Sequence, residues 1–349
     1  MSAKGPLRVG IVGCGIAAQE YHIPFLLKIK NAQAVAVCDR NEDLARRVAK
    51  RFHISRYYAD FSKMLEKEKL DMVDVCASPE AHAILSIQAM DAGCHVLVEK
   101  PMALSLKEVD EMVAASKENG VKLCVVHNQL FDPVMLKARS MVAEGSIGDL
   151  TGIDSKITLP KDNGGVADKD HWYHKLPGGP FGEELAHPIY LARAFLGHVE
   201  PVAVYTKKLS DYDWVIADEL RVILEGENGL ATITSSCNWP KCKAIIDVFG
   251  TKMCLRIDLW NSAMTTYGIY GPSKPSRALE NLRQGFSILA GTTSTTLNTV
   301  LGRFHTGHYT LIEQFIGAIQ NGMEPPVTME EGREVMKVYE KITAQISSA

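Results

Sequence analysis

The stretch LRVGIVGCGIAA (residues 7–18) decides how the first third of the chain folds. Its first seven residues form a short, nearly continuous apolar run, as expected of a parallel strand buried on both faces. The run passes directly into Gly13-Cys14-Gly15-Ile16-Ala17-Ala18, a GxGxxA turn that opens a helix. The glycines allow a tight turn and close backbone approach to a pyrophosphate, which then lies at the helix N-terminus. Such a string alone is weak, because glycine turns are common. Here it sits between a strand and a helix, and Asp39 closes the next apolar run, 21 positions past Ala18. That context makes it a dinucleotide-binding signature. It assigns Gly13, Gly15, Ile16 and Ala17 to the pyrophosphate and Asp39 to the adenosine ribose. The Asp39 charge repels a 2′-phosphate, so NAD is expected; Arg40 beside it offsets part of that repulsion and leaves NADP open.

Outward from this motif the same grammar repeats. The runs QAVAVCD (33–39), MVDVCAS (72–78), HVLVEK (95–100) and VKLCVVH (121–127) alternate with helical stretches such as NEDLARRVAKRF and SLKEVDEMVAASKENG. In the latter, Ser105 and Glu108 make a capping box and Gly120 a helix stop. This predicts a doubly wound α/β domain with a parallel sheet over residues 1–127. At 349 residues the chain is too long for one typical core, and the pattern changes after residue 128. ELRVILEGENGLATITSSCNW and KAIIDVFGTKMCLRIDLW each pair two strand-like runs around a turn, which reads as antiparallel hairpins. HYTLIEQFIGAIQNG and MEEGREVMKVYEKITAQI return to helix. Residues 128–349 are therefore expected to form a second α/β domain for substrate binding and oligomerisation, its terminal helices free to pack back on the first. Residues 261–304, rich in Ser, Thr, Gly and Pro, show the weakest pattern and read as a long loop or partner-contacting insertion.

Composition narrows the function. A formal charge of −3 and a pI near 6.4 give no basic field for nucleic acid or an anionic membrane. No apolar run approaches the roughly 18 residues needed to span a bilayer, and the N-terminus enters a strand without a signal-peptide layout. The eight cysteines form no CxxC pair, so they read as reduced core thiols of a cytoplasmic protein. Among them, Cys14 lies inside the glycine loop.

VGIVGCGIAA, His22-x-Pro24, CASPEAHA, AGCHVLVEKP and GGPFGEELAHPIYLARAFLG together resemble the Gfo/Idh/MocA family of oxidoreductases, which includes glucose-fructose oxidoreductase and inositol dehydrogenase. The resemblance implies an N-terminal Rossmann domain and a C-terminal α/β domain with an open, mainly antiparallel sheet. It places Lys100, of the EKP signature, between nicotinamide and substrate, with a peptide to Pro101 that is often cis. It also puts Ser78, Pro79, His82, Glu99 and Asn128 at the cofactor edge, Asn128 reaching substrate as well. Assembly as a homodimer or homotetramer, through the exposed face of the second sheet, is implied in the same way.

In GGPFGEELAHPIYLARAFLG, Glu183 and His187 stand four apart and share a helix face. A carboxylate beside an imidazole fixes its tautomer and raises its basicity, which suits a general base acting on an alcohol. Relatives carry an aspartate where this chain has Glu183, followed here by a second acid, Glu184. Upstream, His171, Trp172, Tyr173 and His174 form a cluster able to line a sugar site or to make a capped surface loop. With His187 these residues hold several ligand types, but no recognised zinc spacing, so no metal is expected. His305 and His308 read as polar groups opening the penultimate helix rather than site residues. The expected activity is hydride transfer between a secondary alcohol of a sugar, cyclitol or sugar derivative and nicotinamide. His187, supported by Glu183, acts as base and Lys100 stabilises the oxygen. The alternatives are a redox-neutral eliminase or glycosidase working through a transient keto-sugar, and a non-catalytic NAD(P)- or sugar-sensing regulator.

Overall fold

A computed structural model describes residues 5–271, 273–301 and 306–347. The chain divides into two units, residues 1–128 with 307–337, and residues 129–306 with 338–349. The last two helices, Gly307–Asn321 and Met329–Ser347, thus give residues 307–337 to the first unit.

The first unit is built on six parallel strands: β1 Leu7–Val12, β2 Ala32–Cys38, β3 Arg56–Tyr58, β4 Met72–Val75, β5 His95–Val98 and β6 Leu123–Val125. Their order, β3-β2-β1-β4-β5-β6, reverses direction between β1 and β4, which is the switch point where doubly wound sheets bind ligands. The apolar runs end up where their pattern demands: Val9, Ile11, Val73, Val75, Val96, Leu97 and Val98 are fully buried. The predicted capping box closes on helix Leu106–Asn119, and Gly120 ends it at φ 62°. Residues 307–337 join this unit through specific contacts. The Tyr309 ring meets Phe25 edge-on, and the Arg333 guanidinium donates to the Asp110 carboxylate at 2.5 Å. Gly332 has room for no Cβ beside Val125 and Met102.

The second unit carries a seven-stranded sheet: β7 Leu150–Pro160, β8 Val199–Lys207, β9 Glu219–Gly226, β10 Gly229–Trp239, β11 Lys243–Gly250, β12 Cys254–Asp258 and β13 Ala263–Tyr267. The order is β13-β12-β11-β7-β10-β9-β8; only β7 and β10 run parallel, and every other pair is antiparallel. Both predicted hairpins are present, as β9–β10 and β11–β12. Alternation sets the two faces: Leu220, Val222 and Leu224 are buried, whereas Val202, Tyr205, Ile223 and Leu230 are exposed. Helix Ala186–Leu196 covers the buried face, packing on β7, β8 and β10.

The expectation of a long loop over 261–304 is overturned. Its described residues form β13 and then a 27-residue helix, Lys274–Val300. Ser273 caps this helix by accepting from the Ser276 amide, and Pro275 sits in its first turn, where a missing N–H costs nothing. Its apolar residues were obscured by the Ser, Thr and Gly between them. No described helix is long and apolar enough to cross a membrane.

Gly13 provides a direct test of the first unit. Its φ is +92°, and a Cβ there would strike the backbone of Cys76 and Ala77. Gly13→Ala is expected to destabilise the chain by about 2–4 kcal/mol, from left-handed strain plus the collision. Gly15→Ala, where a Cβ meets nothing within 4 Å, is expected to unfold at the wild-type urea midpoint. Equal midpoints for the two variants would contradict this account of the turn.

Candidate active site

The carboxyl ends of β1, β2, β4 and β5 bring the predicted cofactor residues to one edge of the first sheet. After β1, the Gly13 amide donates to Cys38 O at 2.8 Å, and the Cys14 amide donates to Asp39 Oδ2 at 2.9 Å. Asp39 Oδ1 accepts from the Asn41 amide at 2.8 Å, so this one carboxylate fastens the glycine loop to the end of β2. Arg40 is exposed beside it. The open space at Gly15 and the exposure of Ile16 leave the loop's outer surface clear for a pyrophosphate. These features fit a dinucleotide, held by the loop amides with its ribose at Asp39. Cys14 lies behind the loop, fully buried; burial first, then the Asp39 charge, pushes its thiol up to about 12, so it is inert.

At the end of β4, Ser78 and Pro79 open helix Pro79–Asp91. His82 on that helix is buried, with its ring nitrogens facing Pro101 O at 2.8 Å and Ala77 O at 3.0 Å. It therefore ties the β4 loop to the residue after Lys100, a scaffolding task. The peptide between Lys100 and Pro101 is cis, as the EKP signature suggested.

Beneath this edge lies a network whose partners are distant in sequence. His22, fully buried, stands between two carboxylates. Its Nδ1 lies 2.9 and 3.0 Å from the two Asp74 oxygens, and its Nε2 lies 2.8 Å from Glu99 Oε1. The other Glu99 oxygen accepts from the Lys100 amide at 2.9 Å. Burial alone would discharge this imidazole, but the Asp74 charge and hydrogen bond outweigh it, and its pKa is held well above the ordinary value. Burial would likewise protonate Glu99; the His22 hydrogen bond and charge win, so its pKa is lowered and it stays ionised. His22 is thus an imidazolium with both N–H groups donating to carboxylates. His22 is close enough to share a cation with Asp74 and Cys76, or with Glu99 and His308, but its ring nitrogens are already committed to these ion pairs.

His308 borders the network. Its Nε2 is 3.8 Å from Glu99 Oε1, its Nδ1 is 3.3 Å from the Asn128 amide nitrogen, and Tyr21 stacks on its ring at 4.6 Å. The expectation that His308 merely opens a helix was too narrow. It does lie in the first turn of its helix, yet its side chain, 14% exposed, adjoins Glu99 and Asn128. Burial, opposed only in part by Glu99, pushes its pKa down to about 4, so it is neutral at pH 7. His305, named with it, lies outside the described residues.

In the second unit, a short helix, Pro180–Glu184, runs through Leu185 into Ala186–Leu196. His187, in the first turn of the latter, is 7% exposed. Its Nδ1 is 2.6 Å from the Tyr190 hydroxyl, and its Nε2 is 3.7 Å from Glu184 Oε2. The sequence reading paired His187 with Glu183, which is half-buried at the preceding position; the structure adds Glu184 and Tyr190 to its surroundings. Tyr190, three residues on, went unread as anything but core. The Tyr190 hydroxyl also accepts from the Gln129 amide at 3.3 Å.

The upstream aromatic cluster is a capped turn. His171 Nδ1 accepts from the Tyr173 amide, heading the turn Trp172–Lys175, and the His174 ring bonds Asp168 O at 3.0 Å. The His171, Trp172 and Tyr173 rings pack at 4.4–5.6 Å. The Tyr173 ring fills the place that a side chain on Gly165 would take. All four residues stay half-open, so the turn presents both aromatic faces and imidazole edges.

Comparison with known proteins agrees with this construction. Residues 7–127 match the model of the Gfo/Idh/MocA oxidoreductase family's NAD-binding Rossmann fold, and residues 139–349 match that of its C-terminal α/β domain. The chain belongs to this family. It is therefore an NAD-binding oxidoreductase with the two-domain organisation of the group. A myo-inositol 2-dehydrogenase of Thermotoga maritima is 26% identical over 339 residues, 94% of this chain and 92% of its own. Oxidoreductase P35 of Formosa agariphila is 28% identical over 197 residues, 55% of this chain; the match spans 61% of that protein's length. The WlbA dehydrogenase of Bordetella pertussis, solved with NADH and UDP-GlcNAcA, shares the fold at a TM-score of 0.81 and 22% identity, covering 99% of this chain and 96% of its own.

Two outcomes follow from the buried network. His22→Leu leaves Asp74 and Glu99 as uncompensated buried charges, and is expected to cost about 3–5 kcal/mol in urea unfolding. For His308, the folded pKa of about 4 lies below the ordinary 6.5, so only the unfolded chain binds this proton in between. Its contribution to stability is therefore full above about pH 6.5 and lost as pH falls towards 4. His308→Asn should flatten that part of the stability–pH curve; an unchanged slope would contradict the assignment.

Proposed function

We propose that this oxidoreductase is an NAD-dependent dehydrogenase acting on a secondary alcohol of a sugar, cyclitol or sugar derivative. The observation that carries the reading is the placement of Lys100. It follows the Glu99 anchor directly, at the sheet edge where the glycine loop and Asp39 also converge. The myo-inositol dehydrogenase and the UDP-sugar complex named above support a polyol substrate. Asp39, held to the glycine loop, favours NAD over NADP.

Bound NAD supplies the hydride acceptor; the chain handles the proton. With Nδ1–H donating to the Tyr190 oxygen, His187 presents a lone pair on Nε2 and takes the proton of the substrate hydroxyl. Glu184 near Nε2 stabilises the imidazolium that results. The Lys100 ammonium donates to a substrate oxygen, stabilising negative charge as it develops. Glu183 supports the helix turn that carries His187. Asn128 and the residues of the 171–174 turn bind further hydroxyls. The protein self-associates as a dimer or tetramer, and its cysteines, free in the structure, suit a reducing cytoplasm.

A second reading keeps the same groups but returns the hydride to the sugar after an elimination. Glu184 beside His187 favours it, as a second acid able to move a proton.

Lys100→Met and His187→Ala are each expected to lower kcat by about 10²–10⁴-fold while NAD affinity changes less than about threefold. Steady-state rates and calorimetric NAD titration measure the two quantities separately. Near-wild-type turnover in either variant would remove that residue from the chemistry.

A further inference from the structure

Helix Lys274–Val300 is inside out. It has no buried residue along its 27 positions, although its length of about 40 Å would let it cross a small domain. Every half-covered position is polar or glycine, from Ser276, Glu280 and Arg283 to Gly291, Thr295 and Asn298. Glu280 faces the β13 end, accepting from the Gly268 amide at 2.6 Å. The apolar residues are the open ones: Leu279, Leu282, Phe286, Leu289 and Val300 are 50–78% exposed. Their spacing of three and four is a heptad, with Thr293 and Thr296 at the two intervening seam positions. A helix whose stripe faces solvent gains nothing from that stripe, and an isolated helix in water is marginal.

The surface of the stripe shows what shape covers it. An open hollow of about 580 Å³ is lined by Ala278, Asn281, Leu282, Gly285, Phe286 and Leu289. Leu282, Gly285, Phe286 and Leu289 stand at i, i+3, i+4 and i+7, the four residues that form the hole for one knob of a facing helix. Gly285 supplies its depth, since nothing lies within 4 Å of where its Cβ would be. The same stripe offers Leu and Phe knobs of matching size, so it is complementary to itself. With Leu297 on its flank, also exposed, the stripe presents on the order of 600 Å², most of the roughly 800 Å² that one partner gives to a standard interface.

We propose that helix Lys274–Val300 pairs with the same helix of a second copy of this chain through the Leu279–Val300 heptad. The inference rests on the self-association proposed above and gives it a contact at this helix, separate from the exposed face of the second sheet.

Sedimentation equilibrium on the full chain tests it with three proteins: the wild type, Leu282→Glu/Phe286→Glu on the helix, and Leu230→Glu on the sheet face. The helix variant is expected to lose one association step, its dissociation constant rising at least 100-fold, while Leu230→Glu retains that step. A monomeric wild type sinks both self-association and the helix pair. A wild type that assembles while the helix variant keeps its full mass sinks the helix pair alone. Hydrogen exchange on the wild type guards against a misfolded variant. Amides of 279–300 should lose protection on dilution through the measured dissociation range, and protection independent of concentration counts against the pairing.

Discussion

A buried imidazolium holds the working edge of the first unit together. His22 is reached through the helical turn that begins at Ala18, three residues past Gly15, the second glycine of the cofactor loop. Its two carboxylate partners end adjacent strands, Asp74 in β4 and Glu99 just past β5. Glu99 in turn holds the Lys100 amide. One charged ring therefore connects the loop that holds a dinucleotide to the residue proposed to meet the substrate oxygen. In a low-dielectric interior, none of these three charges is tolerable alone, and together they fix one arrangement of three segments.

That constraint explains why the edge carries so many charged groups without being a surface. Asp39 plays the same part on the other side of the glycine loop, where a single carboxylate receives the Cys14 and Asn41 amides. His82 holds the third segment by facing the Ala77 and Pro101 carbonyls. Three titratable side chains that sequence reading counted as cofactor contacts, Asp39, His82 and Glu99, thus also position backbone. For a hydride transfer, in which the cofactor supplies the redox chemistry, such fixed geometry is the protein's main contribution.

Most of the first sheet was legible because its longer buried parallel strands write continuous apolar runs, and helices between them, such as Glu42–Arg51 and Leu106–Asn119, carry side-chain caps. The short β3, Arg56–Tyr58, has no such run and was not read. The hairpins of the second unit were legible through their turns. Helix Lys274–Val300 was not, because sequence periodicity is sought as a face turned to the chain's own core, and this helix turns its apolar face away. The His22 network was illegible for another reason: its partners lie 52 and 77 residues away, and single-sequence patterns report local periodicity, not side-chain convergence. Tyr190 escaped notice because an aromatic residue on an apolar helix reads as core, which it also is. The family motif located Lys100 and His187; only the coordinates showed what surrounds them.

The central claim is that hydride leaves a carbinol carbon of a polyol for nicotinamide and stays there. Incubating the purified chain with NAD and a panel of cyclitols, aldoses and sugar acids, each deuterated at its carbinol carbons, tests it directly by mass spectrometry of both products. The account predicts deuterated NADH and an equimolar ketone from one substrate class. Deuterium returned to a sugar product, with no net NADH, would contradict it.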